Sequence, residues 1–195
     1  MINENFVILG ILIQILGSLK YLIETIQGKI KPNRVTFFLW TLAPLIAFAA
    51  QVTQGVGMSS LITFGFGFSP LLILIASFVS KKAYWKLGLF DFTCGFLSVL
   101  GLLLWYLTQV GNIAIIFAIL ADALAALPTM VKAFKYPETE DGWYYMAFAV
   151  SIILSLLTIK TWDFAHLGFP VYGLALDLTI FSFAYFKLGK LLKSA

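Results

Sequence analysis

Residues 6–34 read FVILGILIQILGSLKYLIETIQGKIKPNR, and the fold is legible from how this segment is built. From Phe6 to Gln27 the side chains are almost all apolar, with Lys20 and Glu24 the only charges. A helix needs roughly 20 mainly apolar residues to cross the hydrocarbon of a bilayer. Backbone groups in lipid must be satisfied within their own segment, so a stretch this long predicts a helix and not a strand. It then exits through Gly28, Lys29, Lys31, Pro32 and Arg34, a short basic gap.

The same unit recurs down the chain. Apolar stretches at 6–27, 34–53, 58–80, 87–108, 111–134, 143–160 and 166–186 predict an all-α membrane protein with seven transmembrane helices. The chain is 61% apolar and only 11% charged, and its mean hydropathy is +0.97. A soluble domain carries about 25% charged residues and needs a polar skin. Lipid is therefore the expected solvent and the expected partner. MINENF lacks the basic lead of a secretory leader and runs straight into a full-length span, which predicts a retained first helix.

Basic residues give the orientation. The first, third and fifth gaps and the C-terminal tail hold Lys29, Lys31, Arg34, Lys81, Lys82, Lys86, Lys132, Lys135, Lys187, Lys190 and Lys193; the opposite side holds only Lys160. Positive charge favours the cytosolic side, so the expected topology is a multi-pass plasma-membrane (inner-membrane) protein with its N-terminus outside and C-terminus in the cytosol. Trp85, Trp143 and Trp162 fall at predicted interfaces, where an amphipathic ring is favoured. The net charge of +4 is spread over short gaps and forms no basic stripe, so no nucleic-acid partner is expected. Cys94 and His166 are each the sole residue of their kind, which predicts no disulfide, metal site or haem, and no cofactor.

Seven spans with short loops invite a division into two parallel triplets around a linker: 1–82, 83–109 and 110–195. Span one ends YLIETIQGKIKP and span five ends PTMVKAFKYP; span three carries GFSP and span seven GFP. This three-one-three layout, the short chain and the segment LPTMVKAFKYPETEDGW (127–143) resemble the PQ-loop superfamily, which includes the SWEET transporters. The resemblance implies two parallel three-helix bundles joined by a linker helix, alternating access, and a small-molecule solute. Thr129 stands where the namesake glutamine is expected, and spans three and seven hold no Asn of the kind with which SWEET proteins hold sugar. Cystinosin-like members use an aspartate of the last helix for protons, which by resemblance points to Asp177.

Charge inside a bilayer costs roughly 2.5–3.5 kcal/mol on insertion scales, so intramembrane acids are candidate functional groups. Asp122 is central in span five and Asp177 in span seven. Each either exchanges protons during transport or hydrogen-bonds a neighbouring helix as structural glue. Gln14, Ser18, Tyr21 and Thr25 form a polar stripe at helical spacing on span one, lining a cavity or packing inward. Asp122, Ala125, Ala126 and Thr129 share a face of span five, either packed closely or bordering a cavity. Trp40 and Tyr172 either stack a substrate ring or pack. Lys20 and Glu24, four apart, are expected to pair, and Asp91 to meet Lys86 or a headgroup. Pro44, Pro70, Pro128 and Pro170 lie within spans, and Pro128 is the candidate hinge. Gly10 and Gly17 serve either a homo-oligomer contact or packing within one copy.

No lysine is buried in span seven to carry retinal, and no HExxH, GxSxG or paired histidine supports an intramembrane enzyme. A transporter of a small polar solute is the leading expectation. A receptor, channel or scaffold is the alternative.

Overall fold

The computed structural model describes residues 6–53, 60–108, 111–158 and 162–194. These form eight α-helices, with no strand among the described residues: α1 (Phe6–Ile26), α2 (Arg34–Thr53), α3 (Ser60–Val79), α4 (Leu89–Thr108), α5 (Gly111–Lys135), α6 (Gly142–Thr158), α7 (Phe164–Tyr185) and α8 (Leu188–Ser194). A short 3-10 turn, Pro137–Thr139, joins α5 to α6. The first seven helices fall within two residues of the expected spans at every described end. The eighth, LGKLLKS, lies in what the sequence presents as a basic tail.

Among the described residues, four helices contain stretches long and apolar enough to cross a membrane: Phe6–Ile26, Leu89–Thr108, Ile115–Lys135 and Leu167–Tyr185. Shorter apolar stretches run over Arg34–Leu45, Thr63–Val79 and Gly142–Thr158. Burial is inverted relative to a soluble protein. Lys132 is 1% exposed while Leu107 is 67% exposed and Val79 72%. Water would reverse that arrangement; lipid favours it.

Local chemistry sets the helix ends. α1 stops at Gly28, whose φ of +73° is open to glycine at little cost. There Gly28 N–H donates to Thr25 O and Lys29 N–H to Glu24 O, both at 2.9 Å, which closes the helix as a Schellman motif. Asn33 caps α2, its Oδ1 accepting from Val35 N at 3.1 Å and Thr36 N at 3.3 Å. Asp141 caps α6 by accepting from Trp143 N at 3.1 Å. Pro44, Pro70, Pro128 and Pro170 all sit inside continuous helices.

α3 packs against both α1 and α2, and α7 against both α5 and α6. Between these groups, α1 packs on α6 and α2 on α5, while α4 lies on α5 and touches α2. The core is aromatic at the basic-loop end: Tyr21, Phe37, Tyr144, Tyr145 and Phe148 are buried together, with Trp40 against them. Trp40 meets Phe37 and Tyr145 edge-on, at 5.6 and 6.4 Å between centroids, so its ring is a packing element here.

Gly10 and Gly17 face α6 within the same chain. A Cβ on Gly10 would approach Ser151 Oγ to 3.1 Å, and one on Gly17 would lie 2.5 Å from Ala147 Cβ. That face is therefore occupied by α6 and is not open to a second copy. Gly17→Ala is expected to cost about 1–3 kcal/mol by overpacking. The thermal midpoint in detergent measures the loss, and Ala147→Gly in the same chain should restore it.

Candidate functional site

Two polar constellations run through the helix groups, one at membrane depth and one at the basic-loop end. At membrane depth Tyr172 of α7 donates its hydroxyl to Asp122 Oδ2 of α5 at 2.8 Å. Both residues were singled out in the sequence, but their pairing crosses helices and is visible only in the fold. Asp177 is 8% exposed and makes no hydrogen bond to any described residue.

A second polar line crosses α1, α3 and α6. Ser18 Oγ donates back to Gln14 O at 2.7 Å, and Ser69 Oγ donates to Ser18 Oγ at 2.7 Å. Ser69 also stands 3.5 Å from Tyr144 Oη. Gln14 is 1% exposed, its amide pressed against Gly65, with neither terminal atom paired among the described residues. The hydroxyls of Thr25, Thr129 and Ser151 are likewise buried and unpaired there. Buried polar atoms are normally satisfied, so these side chains, spread over α1, α5 and α6, carry unused donors and acceptors among the described residues.

The basic-loop end holds the densest network, and most of it escaped the sequence. Lys132 of α5 and Glu140 of the α5–α6 loop form an ion pair with side chains 1% and 0% exposed. Glu140 Oε2 also accepts from Tyr21 at 2.8 Å and from Tyr145 at 3.0 Å. Tyr21 is thus engaged in this network and lines no open cavity. Lys132 Nζ donates to the carbonyl of Lys31 in the α1–α2 loop and lies 5.3 Å over the Trp85 ring. Lys31 N–H donates to Thr139 O at 3.1 Å. Lys20 meets Glu24 at 3.5 Å, as expected, but its closer partner is Asp141 at 2.6 Å. Asp91 accepts from Asn33 Nδ2 at 2.5 Å and from Gly88 N at 2.6 Å, so these two amides take the place expected for Lys86 or a headgroup. On the outer surface Lys190 of α8 pairs with Glu138 at 2.7 Å and holds that carboxyl below the usual glutamate range.

The three acids of the segment PETED therefore tie this turn to three elements: Glu138 to α8, Glu140 to α5 and α1, and Asp141 to α1 as well. A further bond joins α2 to α5. Thr36 Oγ1 donates to Ala125 O at 2.7 Å, in the turn preceding Pro128. Pro128 leaves the adjacent carbonyl, that of Leu124, without its helical donor, and the Thr36 hydroxyl adds an interhelical bond in that same turn.

Two clefts stand out among the described residues. One, about 330 Å³, opens between α5 and α7 and is lined by Tyr172, Met130 and Thr179, but by neither Asp122 nor Asp177. The other, about 540 Å³, lies between α2, α3 and α4. No group of His, Cys, Asp and Glu suited to a metal ion occurs among the described residues. In comparisons with family models, curated proteins and solved structures, nothing matches this chain.

Proposed function

We propose that the chain is a membrane transporter of a small polar solute, moving it by alternating access between two three-helix groups. In this reading α1–α3 and α5–α7 are parallel bundles, α4 is the linker, and the basic loops face the cytosol. The reading draws support from like packing in the two halves, with α3 against α1 and α2 and α7 against α5 and α6. The reciprocal contacts of α1 with α6 and α2 with α5 are what a two-fold relation between triplets requires.

One observation carries the proposal: at their basic-loop ends the two groups are joined by a largely buried polar and charged network. Tyr21–Glu140, Lys20–Asp141 and Lys132 with the Lys31 carbonyl all cross between the groups. The buried Lys132–Glu140 pair lies within the second group, and its contacts across are the Tyr21 hydroxyl on Glu140 and the Lys31 carbonyl on Lys132, beside the half-exposed Lys20–Asp141 pair. Polar contacts of this kind can part into water, where each group is solvated, whereas an apolar plug resists exposure. We assign this network as the cytosolic gate, closed in this conformation, with Asp177 and Asp122 above it as the coupling carboxyls and Pro128 as the hinge of α5.

The second reading is a seven-helix scaffold or receptor without transport. It is favoured by the α5–α7 cleft, which reaches Tyr172 and neither acid. Uptake by proteoliposomes across a panel of amino acids, sugars and organic acids, with and without a pH gradient, separates the two. Transport predicts gradient-dependent accumulation of at least one class. Folded protein that moves none of them leaves the scaffold reading standing.

A further inference from the structure

The cleft between α2, α3 and α4 plays no part in the transport reading. Its walls include Val35, Phe38, Leu74, Phe92 and Val99, and Arg34 is its one charged lining residue. From Phe92 to Val99 the α4 wall rises about 10 Å at 1.5 Å per residue. That is two-thirds of the roughly 15 Å of hydrocarbon in one leaflet. The groove thus begins at the basic-loop boundary and ends within the same leaflet.

Arg34 is fixed at the boundary end. Its Nε donates to Ser77 Oγ at 3.1 Å and its Nη2 to Ser77 O at 2.5 Å. The guanidinium carbon lies 4.1 Å from the Phe78 ring centroid and 5.2 Å from that of Tyr84. Among the described residues no carboxylate pairs with it, while Asp91 at the start of α4 is committed to Asn33 and Gly88. A guanidinium has five N–H donors in a fork, and Ser77 engages only two of its nitrogens. Exposed Lys81, Lys82 and Lys86 follow α3 in the adjoining loop.

We propose that this cleft is a binding site for an anionic phospholipid, with one acyl chain between α2 and α4 and the phosphate on Arg34. The apolar walls call for a hydrocarbon chain, and the uncompensated cation at the mouth calls for an anion at headgroup height. A second copy of the chain would have to bring an acid to the same depth. Glu140 and Asp141 are buried in their own network, Glu138 is held by Lys190, and Glu24 is paired with Lys20.

Native mass spectrometry of the full chain in neutral detergent, with added dioleoyl phosphatidylglycerol or dioleoyl phosphatidylcholine, tests the site. The anionic lipid should be retained about five-fold better. Arg34→Gln should abolish that preference and Arg34→Lys should keep part of it. Val99→Trp fills the groove without altering charge and should lower retention of the anionic lipid. Equal retention of the two lipids by the wild type, or an unchanged preference in Arg34→Gln, overturns the site. Indifference to Val99→Trp overturns the acyl-chain assignment, and a lipid-free dimer seated on this face puts a second copy there instead.

Discussion

Exchanging Lys132 for methionine is expected to lower the unfolding midpoint of the detergent-solubilised chain by about 10 °C. The substitution keeps the length of the side chain but strands Glu140, whose carboxyl is fully buried and retains only the hydroxyls of Tyr21 and Tyr145. Breaking a buried pair from one side costs about 3–5 kcal/mol, because the survivor is an uncompensated charge. A chain of this size loses about 2–4 °C per kcal/mol. Removing both charges together, as Lys132→Met with Glu140→Leu, should recover most of the loss, since an apolar pair of similar volume is often neutral or better. The double variant also separates stability from gating. It should fold well yet transport poorly, because Tyr21 and the Lys31 carbonyl lose the polar partners through which the two groups close. Wild-type stability in the single variant would dismiss the buried pair as a stabilising contact. Wild-type flux in the double variant would remove it from the gate.

The second large effect concerns Asp177. In proteoliposomes with a pH gradient of one unit, a solute coupled to one proton accumulates about ten-fold, since one unit of proton activity is worth about 1.4 kcal/mol. Asp177→Asn should collapse that accumulation to equilibration while leaving gradient-independent exchange of the solute in place. Asp177 is preferred to Asp122 as the proton carrier because of their surroundings. Asp122 is held by the Tyr172 hydroxyl, whereas Asp177 has no hydrogen-bond partner among the described residues. Ten-fold accumulation by Asp177→Asn would exclude it as the carrier, and the same measurement on Asp122→Asn would then decide the remaining acid.

Helix positions could be read from composition because lipid imposes them directly: every span must be long, apolar and self-bonded. What joins one helix to another was much less legible. Helical spacing puts Asp122, Ala125, Ala126 and Thr129 on one face. Continued for one more turn, that face reaches Lys132, which was counted only as a topological charge. A rule that tallies lysines by gap does not ask which of them turn inward, and this one does. In the sequence PETED stands out only as part of the segment that resembles the PQ-loop superfamily. The partners of its acids, Lys20, Tyr21 and Lys190, lie far off in sequence, so no local period announces them. Asp122 and Tyr172 were both chosen, but side chains fifty residues apart meet only because α7 packs on α5. Lys20 shows the opposite failure. Its local partner at i+4 was right but secondary, and the nearer acid comes from another helix's cap.

The eighth helix offers an experimental handle. α8 leaves α7 through Lys187, a non-glycine residue with φ of 54°, and grips the α5–α6 turn through Lys190 and Glu138. Because α8 and the α5–α6 turn belong to the same group, a rearrangement that parts the charged network carries α8 away from the α1–α2 loop. A fluorophore on α8 with a quencher in the α1–α2 loop would turn that mechanical linkage into an optical signal. Opening could then be timed in single molecules before any solute has been identified.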